Sequence, residues 1–257
     1  MNCAEAIDEI LGERHDWRMV RMEFPRNNPS PRVVGSFGDG DSLARATPES
    51  LRDECDLAEI RLDLIAEEFH ERGPAMWEHL RGFPLLFTAR CHPEGSPIDL
   101  PLASRISLLR AAIPDASLID IEAKSVAEMA DLIVEINAQR LPWVSSFHNF
   151  QGLPSSEELE KYVAVSRAAG ASVFKVAAHL ATPRDVAELG EFQQSDQGIS
   201  LSTMGMGKLA PVSRLLCAQL GSVLNYGYLG KSATAPGQWS ARELRNSIRL
   251  MQPFSIQ

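Results

Sequence analysis

From Arg32 onward, short apolar runs alternate with stretches whose apolar residues recur at helical spacing. The runs start near 32 (RVVGSF), 57 (LAEIRL), 84 (PLLFTAR), 117 (SLIDIE), 142 (PWVSSF), 172 (SVFKVA), 198 (GISLST) and 222 (SVLNYG). Runs this short, bounded by turn residues, read as strands buried on both faces, as in parallel sheets. Successive starts lie about 27 residues apart, room for one strand, one helix and their loops. Repeated along residues 31–257, that unit predicts an α/β fold, the (β/α)8 TIM barrel. A doubly wound sheet is the competing arrangement. Against it, the first run leads into Gly35-Ser-Phe-Gly38-Asp-Gly40, which lacks the G-x-G-x-x-G spacing.

The stretches between the runs carry helix punctuation. Thr47-Pro48 and Thr182-Pro183 place proline just inside a capping threonine, where its missing N–H costs nothing. Ser125/Glu128, Ser155/Glu158 and Ser240/Glu243 have the capping-box spacing, in which hydroxyl and carboxylate each satisfy an orphan amide. Leu102, Ile106, Leu109 and Ile113 form a helical stripe in the third unit. Residues 1–30 read as an N-terminal extension: a short helix over 2–16, a strand in which Val20, Met22 and Phe24 alternate with Arg21 and Glu23, and a turn-rich break from Pro25 to Pro31. A hairpin or helix covering one end of the barrel is expected there.

Composition narrows the function classes. A 257-residue chain with 44% hydrophobic residues can build one full-sized core. With 34 acidic against 25 basic side chains the net charge is −9, which argues against nucleic acid as a partner. Cys3, Cys55, Cys91 and Cys217 form no close pair, so neither a disulfide framework nor a metal site is expected, and a reduced, cytoplasmic protein fits. The start of the chain has no basic and apolar leader, and no run of about 18 apolar residues occurs, so neither export nor a membrane span is expected.

In a TIM barrel, chemistry sits at the C-terminal strand ends and the following loops. Lys175 interrupts the apolar run Ser-Val-Phe-Lys-Val-Ala-Ala, whereas the other lysines lie in helical or loop stretches. Burial lowers an ammonium's pKa and turns it into an amine able to attack a carbonyl. The alternative is structural, an ion pair with Glu59-Ile-Arg61-Leu-Asp63, whose charges at period two share one face and are expected to form one network. His148 closes the fifth run, where a general base can meet the same substrate as Lys175. His15, His70 and His79 have only solvation to recommend them, and His92 and His179 could join only through long-range contacts. Arg90 and Arg214, both past strand ends, suit a carboxylate ligand. The loop from Gly230 to Gln238 has the small, polar residues of a lid.

Glu59-x-Arg61-x-Asp63, Thr88-x-Arg90-x-x-x-Glu94-Gly95, Ser146-Phe-His148-Asn149-Phe150, Phe174-Lys175-Val176-Ala177, Met206-Gly-x-x-Ala-x-x-Ser213-Arg214 and Ala235-Pro-Gly-Gln238 together resemble the type I 3-dehydroquinate dehydratases in order and spacing over about residues 31–250. The resemblance implies a hydro-lyase that converts 3-dehydroquinate to 3-dehydroshikimate in the shikimate pathway of aromatic amino acid biosynthesis. It implies a homodimer without metal or organic cofactor, whose partner is a small-molecule substrate. It makes Lys175 the Schiff-base lysine, His148 the general acid and base, and Glu94 the carboxylate supporting the histidine. Ser36, Glu59, Arg61, Arg90 and Arg214 fall on substrate-binding positions, with Arg214 expected to meet the substrate carboxylate, and Gln238 falls on the closing loop. Thr234 stands where the family usually has serine, Ala210 where glycine is usual, and Asn149 where aspartate is frequent. A monofunctional enzyme is expected. An aldolase-like imine-forming barrel, or a silent barrel that binds a quinate-like metabolite, are the other readings.

Overall fold

The computed structural model describes residues 22–25, 30–231, 233, 235 and 237–251. The eight strands are β1 (Arg32–Phe37), β2 (Leu57–Arg61), β3 (Leu85–Thr88), β4 (Leu118–Glu122), β5 (Trp143–Asn149), β6 (Val173–His179), β7 (Ser200–Met206) and β8 (Leu224–Leu229). All pair in parallel in the order β7-β6-β5-β4-β3-β2-β1-β8. The ring is completed between β7 and β8 by fewer bonds, among them Val223 N–H to Leu201 O at 3.0 Å and the Ser202 hydroxyl to Leu224 O at 2.6 Å. This nearly closed barrel is the architecture that the alternating runs predict.

The main helices around it are α1 (Gly40–Arg45), α2 (Pro48–Glu54), α3 (Ala66–Arg72), α4 (Leu102–Ala112), α5 (Ala130–Ala138), α6 (Ser156–Ala168), α7 (Pro183–Gln194), α8 (Ala210–Gln219) and α9 (Ala241–Met251). Thr47 and Thr182 cap α2 and α7 in capping boxes with Ser50 and Asp185. Ser155 and Ser240 accept from the amides of Glu158 and Glu243, as their spacing predicts. Ser125 departs from that pattern. It closes a short 3-10 turn, and Ala130 opens α5 only after a further turn held by Met129 N–H to Ser125 O at 2.9 Å.

The strand interior is built in layers with period two, as closure of a parallel barrel requires. Leu57, Leu118, Val173 and Leu224, from β2, β4, β6 and β8, join Val34, Leu86 and Val144 in one buried apolar cluster. Two residues later on the same strands stand Glu59, Asp120, Lys175 and Tyr226, all buried. The interior thus switches within one layer from hydrocarbon to ionisable groups.

Met22 and Phe24 pack against the apolar cluster at the N-terminal strand ends. There Phe24 O accepts from Ser200 Oγ at 3.0 Å and the Arg32 guanidinium lies 5.3 Å from the Phe24 ring centre. Over residues 22–25 no strand forms, contrary to the alternation at Met22 and Phe24. The Phe24 carbonyl is taken by a side-chain hydroxyl of β7 rather than by a neighbouring strand's amide. The helix expected over 2–16 lies outside the described residues, as does Val20.

Candidate active site

The switch layer and the loops above it enclose a cleft that opens to solvent. Ser36, Glu59, Arg61, Arg90, Glu94, His148, Lys175, Arg214 and Gln238 all line it, so these sequence-predicted residues converge. Thr234 lies outside the described residues.

Lys175 is only 4% exposed. Its Nζ stands 3.4 Å from Asp120 Oδ2 and 3.8 Å from the centre of the Tyr226 ring. Burial lowers its pKa, while the Asp120 and Glu59 carboxylates oppose that shift. The ion partner is therefore Asp120 on β4, not the Glu59/Asp63 set. That set also divides. Glu59 accepts from Ser36 Oγ and, at 2.7 Å, from Thr88 Oγ1. Asp63 lies past the end of β2, where the turning chain brings its carboxylate back to Arg61 Nε and Nη2 at 2.9 and 2.6 Å and to the Arg90 amide at 3.1 Å.

His148 sits two residues beyond Ser146, whose Cα is registered with Lys175 on the neighbouring strand. Its Nδ1 and backbone N–H both face Glu94 Oε2, at 3.0 and 2.9 Å. Donation from Nδ1–H fixes the tautomer that leaves Nε2 as the free lone pair. Burial, followed by the nearby Arg90, Lys175 and Arg61 charges, holds the imidazole well below its ordinary value, so it is neutral at neutral pH. Glu94 is pushed up to about 7, chiefly by burial against the opposing pull of Arg90. It sits in a one-turn 3-10 segment, His92–Glu94, that ends at Gly95 with φ +104°. A Cβ there would lie 2.7 Å from the Phe150 ring, so glycine serves both the left-handed turn and the approach of that ring.

The two guanidinium groups differ. Arg90 is saturated by carboxylates, with Nη2 3.0 Å from Asp120 and Nη1 3.1 Å from Glu122, and it donates to Ser146 Oγ at 2.6 Å. These anions outweigh the effect of burial and raise its pKa. Arg214, on α8, faces no carboxylate within ion-pair distance among the described residues. Its Nη1 donates to Tyr226 O at 2.7 Å, its Nε is buried without an acceptor, and burial lowers its pKa to about 10. A buried cation without an anion is open to an anionic ligand.

Sequence reasoning missed Asp120, Glu122 and Arg105. Asp120 and Glu122 repeat on β4 the period-two charges of β2, a signal that could have found them. Arg105 gives no such signal. It lies on a helix outside the barrel, is 4% exposed, and reaches inward to pair with Glu122 Oε2 and donate to Ala89 O. His92 instead bonds Ser96 O at 2.8 Å, and His92 and His179 are not among the cleft-lining residues. No cluster of His, Cys, Asp and Glu able to hold a metal occurs among the described residues. The thiol of Cys91 is raised to about 11, mainly by burial.

The family model described as "Type I 3-dehydroquinase" matches residues 37–255. The chain belongs to the type I 3-dehydroquinase family. Among curated members, the 3-dehydroquinate dehydratase of Methanothrix thermoacetophila is 32% identical over 229 residues, covering 86% of this chain and 92% of that protein. The enzyme of that name from Methanocella arvoryzae is 29% identical over 233 residues, covering 90% and 99%. The crystal structure of 3-dehydroquinate dehydratase from Geobacillus kaustophilus superposes with a TM-score of 0.78 at 29% identity, covering 88% of this chain and 93% of that one.

Proposed function

We propose that the chain is a 3-dehydroquinate dehydratase, a hydro-lyase that works through a Schiff base on Lys175. The observation that carries this reading is the junction of three features in one cleft: an amine buried beside Asp120, the imidazole tied to Glu94, and a buried Arg214 that meets no carboxylate among the described residues. Arg214 takes the substrate carboxylate. The Lys175 amine attacks the ring ketone, and loss of water leaves an iminium whose charge lies beside Asp120. That cation draws electrons from the neighbouring carbon, His148 Nε2 removes its proton, and the resulting enamine expels the hydroxyl. The proton held by His148 passes to that hydroxyl, which departs as water, and hydrolysis of the imine frees product and amine. Metal and organic cofactors have no part in this scheme.

Ser36, Glu59, Arg61 and Arg90 are assigned to the substrate's polar groups, with Thr234 and Gln238 on a loop that closes the cleft. Residues 1–30 are assigned to an extension and 31–257 to the catalytic barrel, a division supported by the packing of Met22 and Phe24 on the barrel's lower cluster. The enzyme is further proposed to act in the cytoplasm as a homodimer in the shikimate pathway. The buried free thiols of Cys55 and Cys217 suit a reducing compartment, and no helix among the described residues is long and apolar enough to cross a membrane.

Borohydride reduction with 3-dehydroquinate, followed by intact mass and peptide mapping, tests the proposal. A stable adduct on Lys175 and growth of the conjugated product's absorbance are expected. Neither signal would leave the metabolite-binding reading in front, and an adduct without product would favour an aldolase-like enzyme. His148→Ala is expected to form adduct while turning over slowly, and Lys175→Ala to trap nothing.

A further inference from the structure

Tyr226 is 3% exposed, lines the cleft and ends in a hydroxyl that is buried with no hydrogen-bond partner among the described residues. A phenol that is only packing has no use for an orphaned O–H, since burying one unpaired costs about 1–3 kcal/mol and phenylalanine would avoid that cost. The ring has a separate task, lying under the Lys175 nitrogen at 3.8 Å from its centre, where its π face attracts a cation. The hydroxyl oxygen extends one bond beyond that ring. Ring and amine line the same cleft, so the hydroxyl belongs to the wall that a carbonyl attacked by that nitrogen faces. Burial, reinforced by the Glu59 and Asp120 charges, pushes the phenol well above its ordinary value, so it keeps its proton and acts only as a donor.

We propose that the Tyr226 hydroxyl is a catalytic hydrogen-bond donor to the keto oxygen as the substrate condenses with Lys175, an assignment that rests on the Schiff-base reading above. The nitrogen lone pair forms the C–N bond while the C–O π pair moves onto oxygen. Tyr226 stabilises that developing charge without transferring its own proton. A proton left on nitrogen passes to the oxygen through water, giving the carbinolamine. With one more proton from solvent the C–O bond breaks, water leaves and the iminium remains over the ring. On hydrolysis the same donor faces the oxygen again.

Tyr226→Phe tests the hydroxyl while keeping the ring, and Tyr226→Leu removes both. The readouts are the rate at which borohydride-trappable adduct appears in a single turnover, steady-state kcat, and thermal unfolding without ligand. For Tyr226→Phe the expected result is adduct still mapping to Lys175, with its formation rate reduced about ten- to hundredfold, the range for loss of one such donor, and unfolding at an unchanged or higher temperature. Tyr226→Leu is expected to lower the rate further. If the parent traps adduct and Tyr226→Phe traps it at the parental rate, the inference fails and the Schiff-base reading stands. If Tyr226→Phe unfolds well below the parent, the hydroxyl serves the fold and the inference again fails. A parent that traps nothing overturns both.

Discussion

Arg214→Met should make the protein no less stable while spoiling its grip on an acid. Burial lowers the guanidinium's pKa from its ordinary value to about 10. At about 1.4 kcal/mol per pKa unit, keeping it charged in the fold costs about 3 kcal/mol relative to the unfolded chain. Because the folded value is the lower one and the group is a base, that penalty applies in full at every pH below about 10. Methionine fills similar space without charge but leaves Tyr226 O without its donor at 2.7 Å, a loss of about 1–3 kcal/mol. The balance lies between no change and about 2 kcal/mol of added stability, up to about 8 °C in Tm for a domain of this size. Removing one partner of a buried ion pair with the substrate costs about 2–5 kcal/mol of binding, so KM should rise about 30-fold or more. Unfolding scans without ligand and initial rates over a wide range of 3-dehydroquinate check both halves. A variant that melts well below the parent, or keeps the parental KM, refutes the unpaired-cation reasoning.

Three further outcomes are expected. Glu94 has a folded pKa of about 7 against an ordinary 4.5, so the fold holds its proton more tightly and the group's contribution to stability falls as pH rises through about 7. Urea unfolding should show Glu94→Gln sparing about 2–3 kcal/mol of the parent's loss between pH 5 and pH 8, with kcat reduced about tenfold because the histidine's partner is altered. Arg105→Met strips the outer cation from Glu122 and should destabilise the fold by about 3 kcal/mol, partly restored in the double variant with Glu122→Gln, as thermal unfolding would show. Gly237→Ala places a Cβ 2.3 Å from Gly207 O at φ +73°, displacing the cleft loop. Its expected signature is a raised KM with a nearly parental Tm, measured by kinetics and calorimetry.

Strand starts were legible to within two residues because buried parallel strands leave unmistakable apolar runs, and Thr47, Ser155, Thr182 and Ser240 cap as their spacing requires. The strand candidates Ser36, Glu59, Lys175 and His148 converge because inward positions toward the tops of strands have nowhere else to point, whereas Glu94 and Arg214 are brought in by the segments that follow the strands. What stayed hidden were partnerships across the barrel. Pairing Lys175 with Asp120 rather than Glu59 depends on the order of strands around the ring, in which β4 is two places from β6 and β2 stands opposite it, and Arg105 reads as an ordinary polar position until its helix is docked on the barrel. The Ser125 spacing misled because a capping pair fixes local hydrogen bonds, not whether the chain inserts another turn before the helix begins.

The change from Leu57, Leu118, Val173 and Leu224 to Glu59, Asp120, Lys175 and Tyr226 within one step of the barrel has a consequence for traffic. Beneath the amine lies a dry plug of hydrocarbon, closed off further by Met22 and Phe24. Among the described residues, substrate, expelled water and protons exchanged with bulk therefore reach the amine from the cleft side alone.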